Sequence, residues 1–239
     1  MKNFGVIISQ TKRSISYVKI LRKLNIKLDN IIVYGTKKKN LKQYKFFKTK
    51  IYFFKSNKIS KKISKKILKL KTKNFIISTY PGEIIKNKNL LKKKNIFHIH
   101  PGKIPTYKGS TVIYYSILNK QKIYCTVIKL SEYLDEGKIF FKKSFPIPKN
   151  LNESNYDNFD TRIRSATLEK FFSITPKFPK KNKFKLVQNY FVIHPILRKI
   201  AVDKLFKKKL SKFLKKNFKD SNNSLNKKIK IEQARREVN

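Results

Sequence analysis

Asn95-Ile96-Phe97-His98-Ile99-His100-Pro101-Gly102 is an apolar run that carries two histidines and stops at a Pro-Gly pair. Its length and composition are those of a buried strand, and the proline and glycine predict that it ends in an irregular loop. Residues two apart on a strand share a face, so His98 and His100 project together. The whole chain has 3 histidines and 13 acidic residues. Three of those acids, Glu132, Asp135 and Glu136, fall close together about one helix and one strand further on. Imidazoles beside a carboxylate supply the groups that acid–base and oxyanion chemistry needs at neutral pH.

Upstream of this run the sequence alternates between two periodicities. Phe4–Ile8, Ile31–Tyr34, Ile51–Phe54 and Phe75–Ile77 are short β-branched or aromatic runs, as buried strands should be. Between them lie helical patterns. Ser14 is placed to cap a helix bearing Ile15, Val18 and Leu21, and Ile59, Ile63, Ile67 and Leu70 form one apolar stripe with lysines opposite. Ile84, Ile85, Leu90 and Leu91 predict a shorter helix. Strand alternating with helix implies right-handed βαβ units, hence a Rossmann-like α/β fold with a mostly parallel sheet and helices on both faces.

Downstream, Ser110–Leu118 reads as a helix, and Ile123–Leu130 and Lys138–Phe145 as strands separated by the acidic loop. Ligands in such sheets bind beyond the carboxyl ends of strands, so the histidines and the acidic loop are expected on one rim. After Pro146-Ile147-Pro148 the texture turns helical. Asp157–Phe172 forms one pattern with Asp160 as a cap, His194-Pro195 opens another (Ile196, Leu197, Ile200, Leu205), and Leu210, Phe213, Leu214 and Phe218 continue the stripe. The expected organisation is an α/β domain over residues 1–148, a helical C-terminal extension over 149–219, and a frayed Lys/Asn-rich tail over 220–239.

Composition narrows the function classes. One cysteine, Cys125, excludes an internal disulfide framework and a cysteine metal site, and it points to a reducing, cytoplasmic setting. It lies in an apolar strand and reads as inert. No apolar run nears the ~20 residues of a membrane span, and Met1–Gln10 is too short in apolar residues for a secretory leader. The net charge of +47 invites a nucleic-acid reading, yet 53 of the 60 basic residues are Lys and 7 are Arg. Specific phosphate and base recognition leans on the Arg fork, and the lysines are spread end to end as a codon bias would spread them. The field still attracts anionic small substrates. Nucleic acid is therefore retained as a partner but not preferred, with the lysine-rich C-terminal helices as its seat.

His100-Pro101, Pro105, Tyr107, Lys108-Gly109 and then Asp135-x-Gly137-x-Ile139 resemble the 10-formyltetrahydrofolate-dependent formyltransferases, which include glycinamide ribonucleotide, methionyl-tRNA and amino-sugar formyltransferases. The resemblance covers about Met1–Pro148 and is sharpest over Ile96–Ile139. It implies 10-formyltetrahydrofolate as cosubstrate, His100 and Asp135 as the catalytic pair, and His98 as a third catalytic residue. In this reading His100 donates to the oxyanion and Asp135 orients it and steers the proton. His98 stands where the family usually has asparagine and Gly102 where it usually has serine. An imidazole donates only in the right tautomer or when protonated, so this exchange bears on pH dependence.

By the same resemblance the pterin is expected against Thr79, Tyr80, Pro81, Gly82 and Leu134. The acceptor is expected against Lys12, Arg13, Lys108, Gly109 and Ser110. No metal is implied. Two histidines on one strand face could share zinc with Asp135, but the resemblance argues against it. Three acceptors stay open. The last 90 or so residues do not read as the β-barrel that methionyl-tRNA enzymes add. Ser9–Ser14 lacks the glycine-rich phosphate loop of the purine-pathway enzymes, leaving Lys12, Arg13 and a helix N-terminus for an anion. An amino-sugar nucleotide or similar small anionic amine is thus placed first. A catalytically degenerate folate-binding protein is the alternative from another class.

Overall fold

The computed structural model describes residues 4–37, 41–148, 151–174 and 189–203. Its centre is a seven-stranded sheet in the spatial order Lys50–Lys55, Leu28–Gly35, Phe4–Ser9, Asn74–Ser78, Asn95–His100, Ile123–Lys129, Ile139–Phe145. The strands are β1 (Phe4–Ser9), β2 (Leu28–Gly35), β3 (Lys50–Lys55), β4 (Asn74–Ser78), β5 (Asn95–His100), β7 (Ile123–Lys129) and β8 (Ile139–Phe145). The first five are parallel, while β7 runs antiparallel to β5 and β8 antiparallel to β7. Two-residue strands β6 (Lys108–Gly109) and β9 (Asn189–Tyr190) pair separately. The apolar runs of the sequence are these strands, and the mostly parallel α/β expectation holds.

Alternation along each strand sends side chains to two apolar layers. On one face Phe4, Val6, Phe97 and Ile99 pack against α1 (Lys12–Lys23) and α5 (Glu153–Ser173). On the other, Ile7, Phe75, Ile77 and Ile96 pack against Ile63 and Ile67 of α2 (Lys61–Lys69) and Leu90 and Leu91 of α3 (Lys88–Lys93). Each fully buried Ile or Leu of this kind contributes about 1.5–3 kcal/mol by leaving water. Helix α5 begins past Pro148, where the sequence suggests a boundary, yet it packs on the sheet, with Phe171 5.9 Å from Phe97. Helices α4 (Val112–Leu118) and α6 (Pro195–Asp203) and a 3-10 helix over Leu41–Phe47 complete the described elements.

Helix entries depart from expectation. Thr11, not Ser14, caps α1, its side chain accepting from the Ser14 amide. Ser14 lies one turn in, where its hydroxyl donates to the Ser78 carbonyl at 3.1 Å. Asn152 caps α5 in a reciprocal capping box, which leaves Asp160 in mid-helix. Ile84 lies outside α3 and is exposed. The predicted helix from Ser110 starts two residues late, since Thr111 takes the left-handed conformation. Leu205, Leu210, Phe213, Leu214, Phe218 and the 220–239 tail lie outside the described residues. No helix among the described residues is long and apolar enough to cross a membrane.

Candidate active site

His98 and His100 leave β5 on the face shared with Ile96, their rings 6.3 Å apart. Ile77 of β4 pairs with His98, so the chain exits β4 level with the second histidine. That puts the Thr79–Gly82 turn beside the pair, Gly82 at φ +73° as a turn glycine should be.

The acidic loop arrives by a route the sequence did not foretell. Because β7 is antiparallel to β5, its carboxyl end points toward the amino end of β5: Lys129 pairs with Phe97, and the Leu130 amide donates to the Ile96 carbonyl. The loop therefore does not start on the histidine rim. It folds back along the sheet, closed at its base by a Lys129 amide bond to the Lys138 carbonyl at 2.8 Å. Gly137 makes the closure fit, since a Cβ there would stand 1.6 Å from the Lys129 carbonyl oxygen. At the loop's turn Asp135 adopts φ 52°, an uncommon conformation for a non-glycine residue. Its carboxylate accepts the Gly109 amide at 2.9 Å and lies 3.4 Å from His100 Nδ1.

His100 is buried, and its Nε2 lies 2.8 Å from the Tyr107 carbonyl. A carbonyl only accepts, so the ring carries its proton on Nε2 and presents a lone pair at Nδ1. This differs from the expected role of His100 as oxyanion donor, because its N–H is already engaged. Burial pushes the His100 pKa below its ordinary value, against the pull of Asp135 and the Tyr107 carbonyl. Burial also drives His98 well below it, helped by the positive charge of Arg164, by His100 and by Arg13. Both shifts favour the neutral imidazole. The carbonyl of Tyr107 can approach His100 because residue 102 is glycine. A Cβ on Gly102 would meet that oxygen at 2.4 Å and His100 Nε2 at 2.7 Å.

The remaining candidates divide. Gly109 and Lys108 adjoin the cluster, but Lys108 is buried and bonds Glu136 at 2.6 Å, so its ammonium is committed within the protein. Ser110 is exposed and tied through its amide to the Tyr190 carbonyl. Leu134 is exposed next to Tyr133, and Thr79 is buried with Tyr80 edge-on to Tyr34. Glu83 anchors the Thr79–Gly82 turn from behind, accepting from Tyr34 Oη at 2.6 Å and from the Ile59 amide. Glu132 pairs with Lys88 and Lys92 on the surface.

Lys12 and Arg13 are not brought to the histidines as an anion site. Lys12 is exposed on a groove with Ser16 and Arg162, between α1 and α5. The Arg13 guanidinium turns inward, donating to the Thr79 carbonyl at 2.6 Å and to Ser78 Oγ, and standing 3.6 Å from Asp160.

Asp160 in turn accepts from Arg164 Nε at 2.8 Å, and Arg164 Nη1 donates to the Ile99 carbonyl at 2.7 Å. This buried Arg13–Asp160–Arg164 chain grips the backbone of β5 between the two histidines and the exit of β4. Sequence reasoning missed it. The available signal is an Asp and an Arg spaced i,i+4 beside the apolar positions Ile163 and Leu168, where an unpaired charge would be costly. The Tyr107 ring stacks 5.2 Å from Tyr190, so the β9 segment braces the carbonyl that faces His100.

A family model for formyl transferases matches residues 2–171. Among curated proteins, a methionyl-tRNA formyltransferase of Ehrlichia canis (strain Jake) is 32% identical over 97 residues, covering 40% of this chain and 30% of that protein. One from Helicobacter acinonychis (strain Sheeba) is 31% identical over 116 residues, covering 46% and 38%. The chain thus spans only about a third of the length of the curated relatives it matches. Among solved structures, a sugar N-formyltransferase from a Shewanella species aligns with TM-score 0.57 and 17% identity, over 86% of this chain and 88% of that one. Glycinamide ribonucleotide transformylase 1 from Symbiobacterium toebii aligns with TM-score 0.53 and 16% identity, over 72% and 88%. At these identities the structural likeness is one of fold.

Proposed function

The chain belongs to the formyl transferase family, and we propose that it moves a formyl group from 10-formyltetrahydrofolate to a primary amine. The observation that carries this reading is the grouping of His98, His100 and Asp135, whose ligand-type atoms lie within 4.8 Å of one another beside the exit of β4. The pterin lies between the Thr79–Gly82 turn and the loop carrying Leu134. The acceptor amine approaches over Gly109.

The chemistry distributes over the three side chains as follows. The amine lone pair forms a C–N bond to the formyl carbon, and the carbonyl electrons move onto oxygen. A neutral imidazole keeps one N–H, and with the His100 N–H bonded to Tyr107, the donor to this oxyanion is His98. The nitrogen that attacked must lose a proton. Asp135 and the Nδ1 lone pair of His100 are the acceptors, and the same proton serves the N10 leaving group as the tetrahedral adduct collapses. Arg164 and Asp160 are positioning residues that hold β5 at Ile99.

For the acceptor, we propose the amine of a methionyl-tRNA. The curated relatives that carry this name and the net charge of +47 both support a polyanionic substrate. An amino-sugar nucleotide, first on the sequence reading, is the second. It is supported by the match along 86% of the chain to a sugar N-formyltransferase. Purified protein supplied with 10-formyltetrahydrofolate and each acceptor separately tests the choice, with mass spectrometry of the acceptor as readout. Formyl-methionyl-tRNA is expected. Formylation of the sugar nucleotide alone overturns the acceptor, and failure of every amine tried, purine-pathway amines included, overturns the transfer reading.

A further inference from the structure

We infer that His98, His100 and Asp135 form a three-ligand site for a borderline divalent cation of the Zn2+ class, with the fourth position open. The donor set is two imidazole nitrogens and one carboxylate oxygen, all within 4.8 Å of one another. Zinc bonds of about 2.0–2.2 Å in tetrahedral geometry hold neighbouring ligand atoms roughly 3.3–3.5 Å apart. His100 Nδ1 and Asp135 Oδ2 already stand at 3.4 Å. The two edges to His98, a half-buried residue, lie within the same 4.8 Å.

The Tyr107 carbonyl fixes the His100 proton on Nε2, so Nδ1 points a lone pair at a carboxylate oxygen. Two electron-pair donors that face each other in a buried setting repel, and a cation between them removes the repulsion. A ligating histidine ordinarily donates its other N–H to a backbone carbonyl, which sets its tautomer and ring plane. The bond from His100 to Tyr107 does this, and it exists because Gly102 leaves room for it.

Asp135 is held in turn by the Gly109 amide, with its backbone at φ 52° presenting the carboxylate. Arg13 and Arg164, whose charge acts on His98, are engaged by Asp160, and Lys108 by Glu136. They do not occupy the lone pairs that face the site.

At His100 and Asp135 the metal takes the lone pairs that the formyl-transfer reading assigns to the proton, and at His98 it holds the ring that this reading uses as oxyanion donor. Bound zinc therefore inhibits transfer, and binding itself stands independently of that reading. The test is calorimetric titration of the full, chelator-treated chain with Zn2+ alone, and of the variants His98→Asn and Asp135→Asn. A parallel titration with Co2+ follows the intense visible bands of a four-coordinate site. One Zn2+ per chain is expected, with affinity reduced at least ~10-fold in each variant and unchanged in His194→Asn.

Should one variant lose its far-ultraviolet dichroism, the other carries the comparison. A Zn2+-dependent rise in the wild-type melting temperature is a further readout. A wild-type chain that takes up no stoichiometric Zn2+, or cluster variants that bind as tightly as wild type, overturns the site. Formyl transfer without zinc binding would leave the proposed function standing and remove only this inference.

Discussion

Replacing Arg164 by Met should be among the most destabilising single changes in the chain. The methionine fills the volume of the arginine stem but removes two bonds, Nε to Asp160 at 2.8 Å and Nη1 to the Ile99 carbonyl at 2.7 Å. Asp160 is then left with Arg13, at 3.6 Å. Removing one partner of a buried ion pair costs about 3–5 kcal/mol, because the other charge stays desolvated. The residual Arg13 contact pulls the figure toward ~3 kcal/mol. With a urea slope of roughly 2 kcal/mol/M, the midpoint falls by about 1.5 M. Urea unfolding followed by far-ultraviolet circular dichroism measures this without any substrate. The double variant Asp160→Leu/Arg164→Met leaves no orphaned carboxylate, and Arg13 keeps its bonds to the Thr79 carbonyl and Ser78 Oγ, so it should recover part of the loss, a coupling that a double-mutant cycle reads directly. A single variant within ~0.5 kcal/mol of wild type, or a double variant weaker than the single, would refute the reasoning.

Gly102→Ser, which restores the residue usual in the family, should harm this chain. Its Cβ would meet the Tyr107 oxygen at 2.4 Å, so the expected cost is ~1–3 kcal/mol in a thermal melt. Because the shift misplaces His100, a ~100-fold fall in formyl transfer should accompany it; an unimpaired rate would contradict the proposed role of the carbonyl. Gly137→Ala places a Cβ 1.6 Å from the Lys129 carbonyl oxygen and should open the loop base, which amide exchange at Lys129 would reveal as lost protection. Cys125 should resist iodoacetamide at pH 8 in the folded chain and react once unfolded, since burial pushes its pKa up to about 12 from an ordinary value of 9.0. The same shift sets a sign. From pH 9 upward the unfolded thiol ionises first and binds fewer protons, so the contribution of Cys125 to stability is lost as pH rises toward 12, a decline that urea midpoints across that range would register.

The architecture could be read from the chain because buried strands announce themselves as β-branched runs, and every such run became a strand. Helix starts were less readable. Ser14 and Asp160 are good capping residues by type, but whether a residue caps depends on extended backbone at that position, which Thr11 and Asn152 adopt instead. The histidines and Asp135 were identified from their rarity and spacing. Their true relation was hidden by strand direction, since the antiparallel course of β7 sends the acidic loop away from the rim before it folds back. Arg13 and Lys108 look like anion ligands in a lysine-rich sequence. Only burial distinguishes them, one engaged by Asp160 and the Thr79 carbonyl, the other by Glu136.

The central claim is that this cluster transfers a formyl group from a folate. Calorimetric titration with 10-formyltetrahydrofolate, followed by single-turnover transfer to methionyl-tRNA in wild type and Asp135→Asn, tests it most directly. The account predicts saturable binding in both proteins and transfer slowed by at least ~100-fold in the variant. Absence of folate binding by the wild-type chain, or undiminished transfer by Asp135→Asn, would contradict it.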